Sequence, residues 1–226
     1  KREGYRDRWS ALVLRLTADA APGSDNQLAY ARAYAATART PEQTDVVRAW
    51  LSGDAPEGLV VDTDLRWSLL QRLVAQGAAD PAEIEAELAR DDTATGRRQA
   101  ATARALIPTL EAKEAAFASA VETDDLPNAL LVATVAGFVH PDQRELHRAF
   151  LDRYFDAVPH VWETRTNETA QTIVMGLYPA QIIEPGMLEL TDRFLARDDI
   201  PAGVRRLVRE GRDGVERSLR CQARDA

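Results

Sequence analysis

Helical periodicity, which runs from one end of the chain to the other, most limits what this sequence can fold into. Apolar side chains recur at intervals of three and four residues, and short segments containing proline or glycine separate the periodic stretches. Thr63 to Gly96 illustrates the pattern, because it reads as one helix that ends at Gly77 and a second that begins at Pro81. Neither helix could bury its apolar stripe alone, so each must pack against another element.

The complete pattern predicts about a dozen helices of roughly 10–20 residues each. The best candidate for a strand, "GLVVDTDL", is too short to pair alone. Short connections make consecutive helices antiparallel neighbours. We therefore predict an all-α fold, a HEAT-like α-solenoid in which antiparallel helix pairs form a curved superhelix. The repeat has no fixed period, and a compact helical bundle is the alternative architecture.

Composition limits the classes of partner. The 226 residues carry a formal net charge of -8, and 45% of them are hydrophobic, as in an ordinary globular protein. An acidic chain is a poor general binder of nucleic acid or anionic membranes, and no apolar run reaches the ~20 residues of a membrane span. We expect neither nucleic acid nor a membrane as a partner. The single cysteine, Cys221, excludes an internal disulfide, and we expect a cytoplasmic location.

Residues that could perform chemistry are few. His140, His147 and His160 form no H-E-x-x-H pattern, and we interpret the first two as surface histidines, with His140 at a helix cap. No histidine or asparagine motif accompanies Cys221, and no glycine-rich phosphate loop is present. Three pairs of acids precede helix starts or turns, where capping explains them: Asp91–Asp92, Asp124–Asp125 and Asp198–Asp199. The sequence therefore predicts no catalytic residue, metal ligand or cofactor in this chain.

Four arginines are the best candidates for binding a substrate. Arg66 lies beside Trp67 on a predicted helix, Arg97 and Arg98 open another, and Arg165 lies within "WETRTNETAQ". An arginine in such surroundings can hold a carboxylate through two hydrogen bonds. The alternative for each is an ion pair on the surface or within the chain. We rank Arg165 first, because polar residues surround it on a predicted helix whose apolar stripe lies elsewhere.

Four segments together resemble the C-terminal domain of bacterial aminopeptidase N. The resemblance is to the type found in high-GC Gram-positive bacteria, within the zinc aminopeptidase family that includes the endoplasmic-reticulum aminopeptidases. The segments are "LRWSLLQRLVAQG", "IEAELARDDTATGRRQAATARALIPTLEAK", "GFVHPDQRELHRAFLDRYF" and "WETRTNETAQTIVMGLYP". They extend over nearly the whole chain in matching order. None is a chemical signature alone, so the specificity comes from their sum.

The resemblance implies that residues 1–226 form a single helical-repeat domain at the C-terminus of a longer chain. In that family the domain caps the catalytic domain, closes a cavity over the active site and can contact the far end of a peptide substrate. The zinc-binding H-E-x-x-H motif and the G-x-M-E-N loop belong to the preceding domain. Both are absent here, so no catalytic or metal-binding residue is carried over. The implied partners are that catalytic domain, which holds the zinc, and peptide substrates.

The predicted function is therefore that of a non-catalytic domain in a zinc aminopeptidase, a hydrolase that removes N-terminal residues from peptides. We expect this fragment to be inactive alone. The alternative is a free-standing helical-repeat module that grips a protein or peptide in its groove. A third hypothesis, an independent enzyme, lacks a nucleophile–base pair or a ligand set. An H-E-x-x-H motif upstream of Lys1 would favour the first hypothesis over the second.

Overall fold

The chain is helical along nearly its whole length. A computed structural model describes residues 2–225, and within that range there is no β-strand. The α-helices in chain order are α1 (Arg2–Asp19), α2 (Asp25–Thr37), α3 (Pro41–Leu51), α4 (Thr63–Ala75), α5 (Pro81–Arg90), α6 (Ala94–Leu106), α7 (Leu110–Phe117), α8 (Asn128–Phe138), α9 (Arg144–His147), α10 (Leu151–Thr164), α11 (Asn167–Gly176), α12 (Pro185–Leu195) and α13 (Ala202–Asp225). The all-α prediction is confirmed.

Helix starts follow the capping residues in the sequence. The Thr40 side chain accepts a hydrogen bond from the backbone N–H of Gln43, and the Gln43 side chain accepts one from the Thr40 N–H. Asp80 and Glu83 make the same reciprocal pair at the start of α5. Each pair satisfies backbone donors that the first helical turn leaves without partners. Thr40 followed by Pro41 predicts an N-cap before a first-turn proline, and the structure confirms it.

The turn between α4 and α5 ends the first helix where the sequence predicts it. Gly77 adopts a φ of 71°, a left-handed conformation that glycine reaches without a steric penalty. This conformation lets the Ala78 N–H donate to the Leu73 carbonyl at 2.8 Å and the Gly77 N–H donate to the Val74 carbonyl at 2.9 Å. The bonds satisfy carbonyls at the helix end, as in other glycine-terminated helices.

The chain divides into two compact units, one up to Ala103 and one from Arg104 onward. In the first unit, α1 packs on α2, α3 packs on α4, and α2 also contacts α4. Its core includes the tilted aromatic pair Tyr34 and Trp50, whose ring centroids lie 5.3 Å apart. The pairing of sequential helices agrees with the predicted helix-pair organisation. The single domain over residues 1–226 stays a prediction.

The second unit has the larger and more aromatic core. Here α11 contacts α8, α10 and α13, while α12 packs on α13. Phe138 and Phe150 meet edge to face with ring centroids 5.2 Å apart, and Tyr154 meets Phe155 in the same way at 5.0 Å. Such edge-to-face contacts are favourable because the positive ring edge faces the negative ring face.

One predicted helix boundary is wrong. The segments "HPDQRELHRAFLDRYFDAV" and "PHVWETRTNETAQTIVMGLYP" predict one helix that ends near Val158 and a new one that begins at Pro159. In the structure α10 continues through Pro159 to Thr164. Val158 and Val161 are buried on its inner face, and this packing offsets the hydrogen bond that proline removes. The break falls instead at Arg165, whose backbone is extended, and the Thr166 side chain caps α11. Arg165 therefore lies in a junction and not on a helix.

The apolar periodicity of "HPDQRELHRAFLDRYFDAV" predicts one continuous helix, but the segment before α10 is less regular. Residues 141–150 form a 3₁₀ turn, the short helix α9 and a second 3₁₀ turn, and not one continuous helix. A π-helical turn, Ala118–Glu122, extends α7.

The face of α1 that packs in the core differs from the predicted one. The apolar periodicity of "YRDRWSALVLRLTADA" predicts one face that carries Trp9, Leu12, Val13 and Leu16. The structure buries Val13 but leaves Trp9 50% and Leu12 37% exposed. The cause is tertiary, because α1 packs on its unit through the side that carries Val13 and the half-buried Leu14.

Candidate functional site

Arg66, one of the four predicted binding residues, forms a paired contact within the first unit. Its Nε and Nη2 donate to the two carboxylate oxygens of Glu87 at 2.7 and 2.6 Å, and its Nη1 donates to the Leu51 carbonyl at 3.1 Å. The Glu87 side chain is buried. The hydrogen bond to Glu87 raises the pKa of the Arg66 guanidinium. The contact holds α5 against α4, because two parallel charge-assisted bonds fix the geometry.

The neighbouring tryptophan organises the turn between α5 and α6. Trp67, which is fully buried, donates from Nε1 to the Asp91 carboxylate at 2.9 Å. The other Asp91 oxygen accepts from the Thr93 hydroxyl at 2.8 Å, and that hydroxyl accepts from the Gly96 N–H at 3.0 Å. A Cβ at Gly96 would lie 1.9 Å from the Asp91 carbonyl oxygen. Asp91 is therefore a structural acceptor in a tight turn, as the sequence predicts for this acidic pair.

Arg97 and Arg98 lie on the surface of α6. Arg97 pairs with Asp92 at 2.7 Å, and both side chains are exposed. Arg98 donates to the Thr95 hydroxyl at 2.8 Å. Ion pairs in water contribute about 0–1 kcal/mol, so these guanidinium groups can exchange their partners easily. Arg66 and Arg97 thus both lie near the C-terminal end of α5, since their acidic partners are Glu87 and Asp92. We call Arg97 and its neighbour Arg98, which are both exposed, the α5-end arginines.

Arg165 belongs to the second unit and is engaged there. Its guanidinium forms an ion pair with Asp124 and donates to the carbonyl oxygens of Val121, at 3.3 Å, and Thr123. Its side chain is 9% exposed. These contacts tie the junction between α10 and α11 to the segment that precedes α8. The described contacts of Arg165 are therefore structural, like those of Arg66.

Sequence reasoning missed an apolar groove between α8 and α11, with a volume of about 690 Å³. Its floor includes Val135 and Gly176, and a Cβ at Gly176 would lie 2.2 Å from Val135 Cγ1, so the two helices approach closely there. Val132 and Met175 at its sides are about half exposed. Polar side chains line the remainder: Asn167, Glu168, Gln171 and Thr172. The groove can accept an apolar side chain or a short peptide segment.

A signal for this groove exists in the sequence. The segment "ALLVATVAGFV" is apolar on every side, and this pattern predicts a buried helix. Val132, which lies on α8, is 52% exposed. A helix apolar all round either is fully buried or offers one side to a ligand or partner.

A buried lysine is the most unusual polar group. Lys113 is fully buried, and its Nζ donates to the carbonyls of Ala105 at 2.6 Å, Phe138 at 3.0 Å and Gly137 at 3.4 Å. These carbonyls lie at the C-terminal ends of α6 and α8, where backbone oxygens lack intrahelical partners and carry partial negative charge. Burial lowers the pKa of Lys113 to about 7. The sequence signal is its rarity, because the chain has only one other lysine.

His147 lies in the same buried cluster. Its Nε2 donates to the Phe138 carbonyl at 2.7 Å, and the Gln181 side-chain amide donates to its Nδ1. Burial lowers the pKa of His147 to about 4, so the ring is neutral near pH 7. The prediction of a surface histidine is wrong here, because the tertiary fold brings α9 against the end of α8. His140 does cap a helical turn as predicted, since its Nδ1 accepts from the Asp142 N–H at 3.3 Å.

Residues 2–225 contain neither a metal-binding cluster nor a helix that could span a membrane. No group of three histidine, cysteine, aspartate or glutamate side chains there is arranged to hold a metal ion. No helix in that range is both long and apolar enough to cross a bilayer. Cys221 is exposed near the end of α13.

Comparison with known proteins gives two agreeing results. The family model described as "ERAP1-like C-terminal domain" matches residues 2–217. The protein named "Aminopeptidase N" from Streptomyces lividans is 53% identical over all 226 residues. The match covers 26% of that protein, so the chain spans about a quarter of the length of this relative.

Proposed function

Since the chain belongs to the ERAP1-like C-terminal domain family, we propose that it is the non-catalytic C-terminal domain of a zinc aminopeptidase. The observation that supports this most strongly is the identity of 53% over its whole length with an aminopeptidase N. In this proposal the parent enzyme removes N-terminal residues from peptides. Its zinc is held by the catalytic part, which is the partner of this domain within the same chain. We propose a cytoplasmic location.

The domain's contribution to the enzyme is to enclose the substrate cavity and to contact the peptide. Two surfaces have suitable chemistry. The α5-end arginines Arg97 and Arg98 offer exposed guanidinium groups that can hold the C-terminal carboxylate or acidic side chains of a peptide. The groove between α8 and α11 offers apolar walls for a peptide side chain.

The other two predicted arginines remain proposals with a stricter requirement. Arg66 and Arg165 already bind acceptors within their own units. A substrate carboxylate would have to replace those acceptors or share the guanidinium with them. Because the Glu87 carboxylate is buried, its release from Arg66 would leave only the Arg90 guanidinium, 3.8 Å away, to compensate its charge. Contact with a substrate is therefore easier for Arg97 and Arg98.

A free-standing peptide-binding module is the alternative function. The groove between α8 and α11 favours it, because an open apolar groove with a polar rim suits an extended or helical peptide. In this alternative the chain would bind peptides without any linked peptidase activity.

The test compares the complete protein that contains this chain with a version that stops immediately before Lys1. Both are assayed with a one-residue chromogenic substrate and with peptides of increasing length. We expect the complete protein to release N-terminal residues, to lose activity to a chelator and to regain it with zinc. Removal of this domain should change the ratio of kcat/KM for long and short substrates, because only a long peptide reaches the domain.

The opposite result would favour the alternative. If the complete protein lacks aminopeptidase activity while this chain binds peptides, the module hypothesis replaces the proposal. An unchanged ratio after removal of the domain would contradict the role in substrate contact, even if the enzyme is active.

A further inference from the structure

The first helix turns its largest apolar side chains toward solvent. Tyr5, Trp9 and Leu12 on α1 are 63%, 50% and 37% exposed, and Leu16 continues the row as a half-buried residue. Intervals of four, three and four residues place the four side chains in one row along the helix. We call Tyr5, Trp9, Leu12 and Leu16 the α1 stripe.

A helix that packed only on its own unit would normally bury its largest apolar side chains. The buried side of α1 consists of Ser10, Val13 and Thr17, and the half-buried Leu14 packs beside them against the core. Ser10 shares a hydrogen bond with Thr37 on α2 at 3.0 Å, and Thr17 donates to the Val13 carbonyl at 2.8 Å. The helix therefore already has a complete contact with α2. The α1 stripe is a second apolar face that this contact does not use.

The α1 stripe is also concentrated compared with the rest of the surface. Seven large apolar side chains are exposed among the residues whose side chains the structure describes. Three of the seven lie on this one helix, and one is a tryptophan. Scattered exposed apolar residues need no explanation, but a continuous row of large ones marks an interaction surface.

Charge and position indicate what covers the α1 stripe. Arg8 and Arg15 are exposed beside it, and the Arg8 guanidinium lies 4.7 Å from the Tyr5 ring centroid. A covering surface should therefore be apolar at its centre and acidic at that edge. Tyr5 lies in the first turns of α1, so in the proposed parent enzyme the preceding part of the chain connects to the end of α1 that carries Tyr5.

We propose that the α1 stripe is the docking surface for the part of the parent enzyme that precedes Lys1. The inference rests on the proposed function, in which this domain follows a catalytic part. The related aminopeptidase N is about four times as long as the match, so a partner of sufficient size is available in such a chain. A covalent link keeps the two surfaces at millimolar effective concentration, and a small apolar surface is then enough for stable docking.

The experiment measures the exposure of Trp9 by hydroxyl-radical footprinting and mass spectrometry. The 226-residue chain and the complete protein are compared, and the buried Trp50 and Trp67 serve as references for slow oxidation. We expect Trp9 to be oxidised readily in the isolated chain and at least about fivefold more slowly in the complete protein, where a partner would exclude water. Equal oxidation of Trp9 in both samples would overturn the proposal.

A pair of variants provides the second measurement. The double variant Trp9→Gln/Leu12→Gln removes the centre of the α1 stripe, and Leu110→Gln is the control, since Leu110 is a similarly exposed apolar residue on α7. Both should leave the Tm of the isolated chain nearly unchanged. In the complete protein only the double variant should lower the Tm and speed proteolysis between the two parts. An equal drop in Tm in the isolated chain would assign the α1 stripe to folding and contradict the proposal.

Two further outcomes separate the possible causes. Protection of Trp9 that grows with the concentration of the isolated chain, together with a dimer in sedimentation, would assign the α1 stripe to a second copy and overturn the proposal. Protection of Trp9 in a complete protein without peptidase activity would reject the proposed function while the docking surface remains. An active aminopeptidase in which Trp9 stays exposed would support the proposed function and overturn the docking proposal.

Discussion

At the scale of single residues, buried polar side chains of the second unit act on the ends of helices. Lys113 and His147 both donate to the Phe138 carbonyl, and Lys113 also reaches the Ala105 carbonyl. An α-helix leaves its last four carbonyls without partners in the helix, and an unpaired buried carbonyl is unfavourable by about 1–3 kcal/mol. The two residues satisfy these acceptors where water cannot reach them. Their burial also makes them sensitive to pH.

We predict that Lys113 makes the chain more stable as the pH rises above 7. The folded-state pKa of about 7 lies below the ordinary value of 10.5, so between these pH values the unfolded chain binds a proton that the folded chain does not. The free energy of unfolding should therefore increase across this window by up to about 1.4 kcal/mol per pH unit. Below pH 7 both states are protonated, and this contribution is constant.

Urea denaturation at pH 7 and pH 9, with Lys113→Met as the comparison, measures this effect. The variant should lack the increase with pH, and it should be less stable than the natural chain at pH 9 because two helix ends lose a donor. Tyrosines of the unfolded chain have a pKa near 10, whereas burial raises the pKa of Tyr34 in the folded chain to about 12. The comparison therefore stops at pH 9, where most tyrosine is neutral in both states. Parallel stability curves for the two proteins would refute the prediction.

The arginines give a second prediction at this scale. In the complete enzyme, Arg97→Ala and Arg98→Ala should raise KM for long peptides while sparing one-residue substrates, because a short substrate does not reach the domain. A charge-assisted hydrogen bond of about 1.5–3 kcal/mol corresponds to about a ten- to hundredfold change. Arg209→Ala on α13 is the control, since Arg209 is another exposed arginine. An equal change for long and short substrates would rule out this role.

The same measurements distinguish the two engaged arginines. Arg66→Ala removes two hydrogen bonds from the buried Glu87 carboxylate and leaves it only the Arg90 guanidinium at 3.8 Å, so it should destabilise the fold by about 1–3 kcal/mol. Arg165→Ala removes the contacts that join the α10–α11 junction to the segment before α8. For both we expect a lower Tm. A change in KM for long peptides without a lower Tm would instead assign them to the substrate.

At the scale of elements, close approach and sidedness decide what each helix does. The α8–α11 pair is close because Gly176 has no Cβ, and this approach forms the floor of the apolar groove. α10 tolerates Pro159 in its interior because its inner face is deeply buried. α1 packs through the side that carries Val13 and Leu14 and leaves the α1 stripe outside. In each case packing between helices, and not helix propensity, determines the result.

We predict that Gly176→Ala destabilises the second unit by about 1–3 kcal/mol, because the new methyl group overlaps Val135 Cγ1. Gly214→Ala on α13 is the matched control, since no atom lies within 4 Å of a Cβ there. That change should be neutral or stabilise by about 0.5–1 kcal/mol, as expected for a helical glycine with open space where a Cβ would lie. Thermal unfolding of both variants makes the comparison.

The double variant Val135→Ala/Gly176→Ala tests the cause. If the overlap with Val135 explains the loss, the double variant should lose less stability than the sum of the two single changes. Additive losses would mean that something other than the overlap with Val135 destabilises the Gly176→Ala variant.

At the scale of the whole molecule, family membership and local chemistry agree. The family match runs from residue 2 to residue 217 and therefore covers residues of both units. Among the described residues, no metal-binding cluster accompanies this match. In the function proposed above, this chain contributes shape, contact and charge to the enzyme, and other residues of the parent chain perform the chemistry.

We therefore predict that the purified 226-residue chain binds no zinc tightly and hydrolyses no aminoacyl amide. Zinc is measured by elemental analysis after dialysis, and activity is measured with an aminoacyl chromogenic substrate. Any residual zinc should be the same in the His147→Gln variant, because His147 donates its Nε2 hydrogen to a carbonyl and is not placed as a zinc ligand. Stoichiometric zinc with peptidase activity that a chelator abolishes would contradict the prediction.

The sequence by itself determined the helices, their caps and the family of this protein. Helical periodicity, Thr40 with Pro41, and the glycine at the end of α4 act over a few neighbouring residues, so they can be read directly. The family is apparent because similarity accumulates along the whole chain. Local sequence also identified the four candidate arginines, but it could not identify the groups that they contact.

Only the tertiary structure decided which faces and side chains are buried. Arg66 meets a glutamate 21 positions away, Lys113 meets a carbonyl 25 positions away, and Arg165 meets one 44 positions away. The choice between the two apolar sides of α1 likewise depends on how α2 packs against it. The physical reason is that local sequence sets a helix's period and ends, whereas burial depends on neighbours that are distant in the chain.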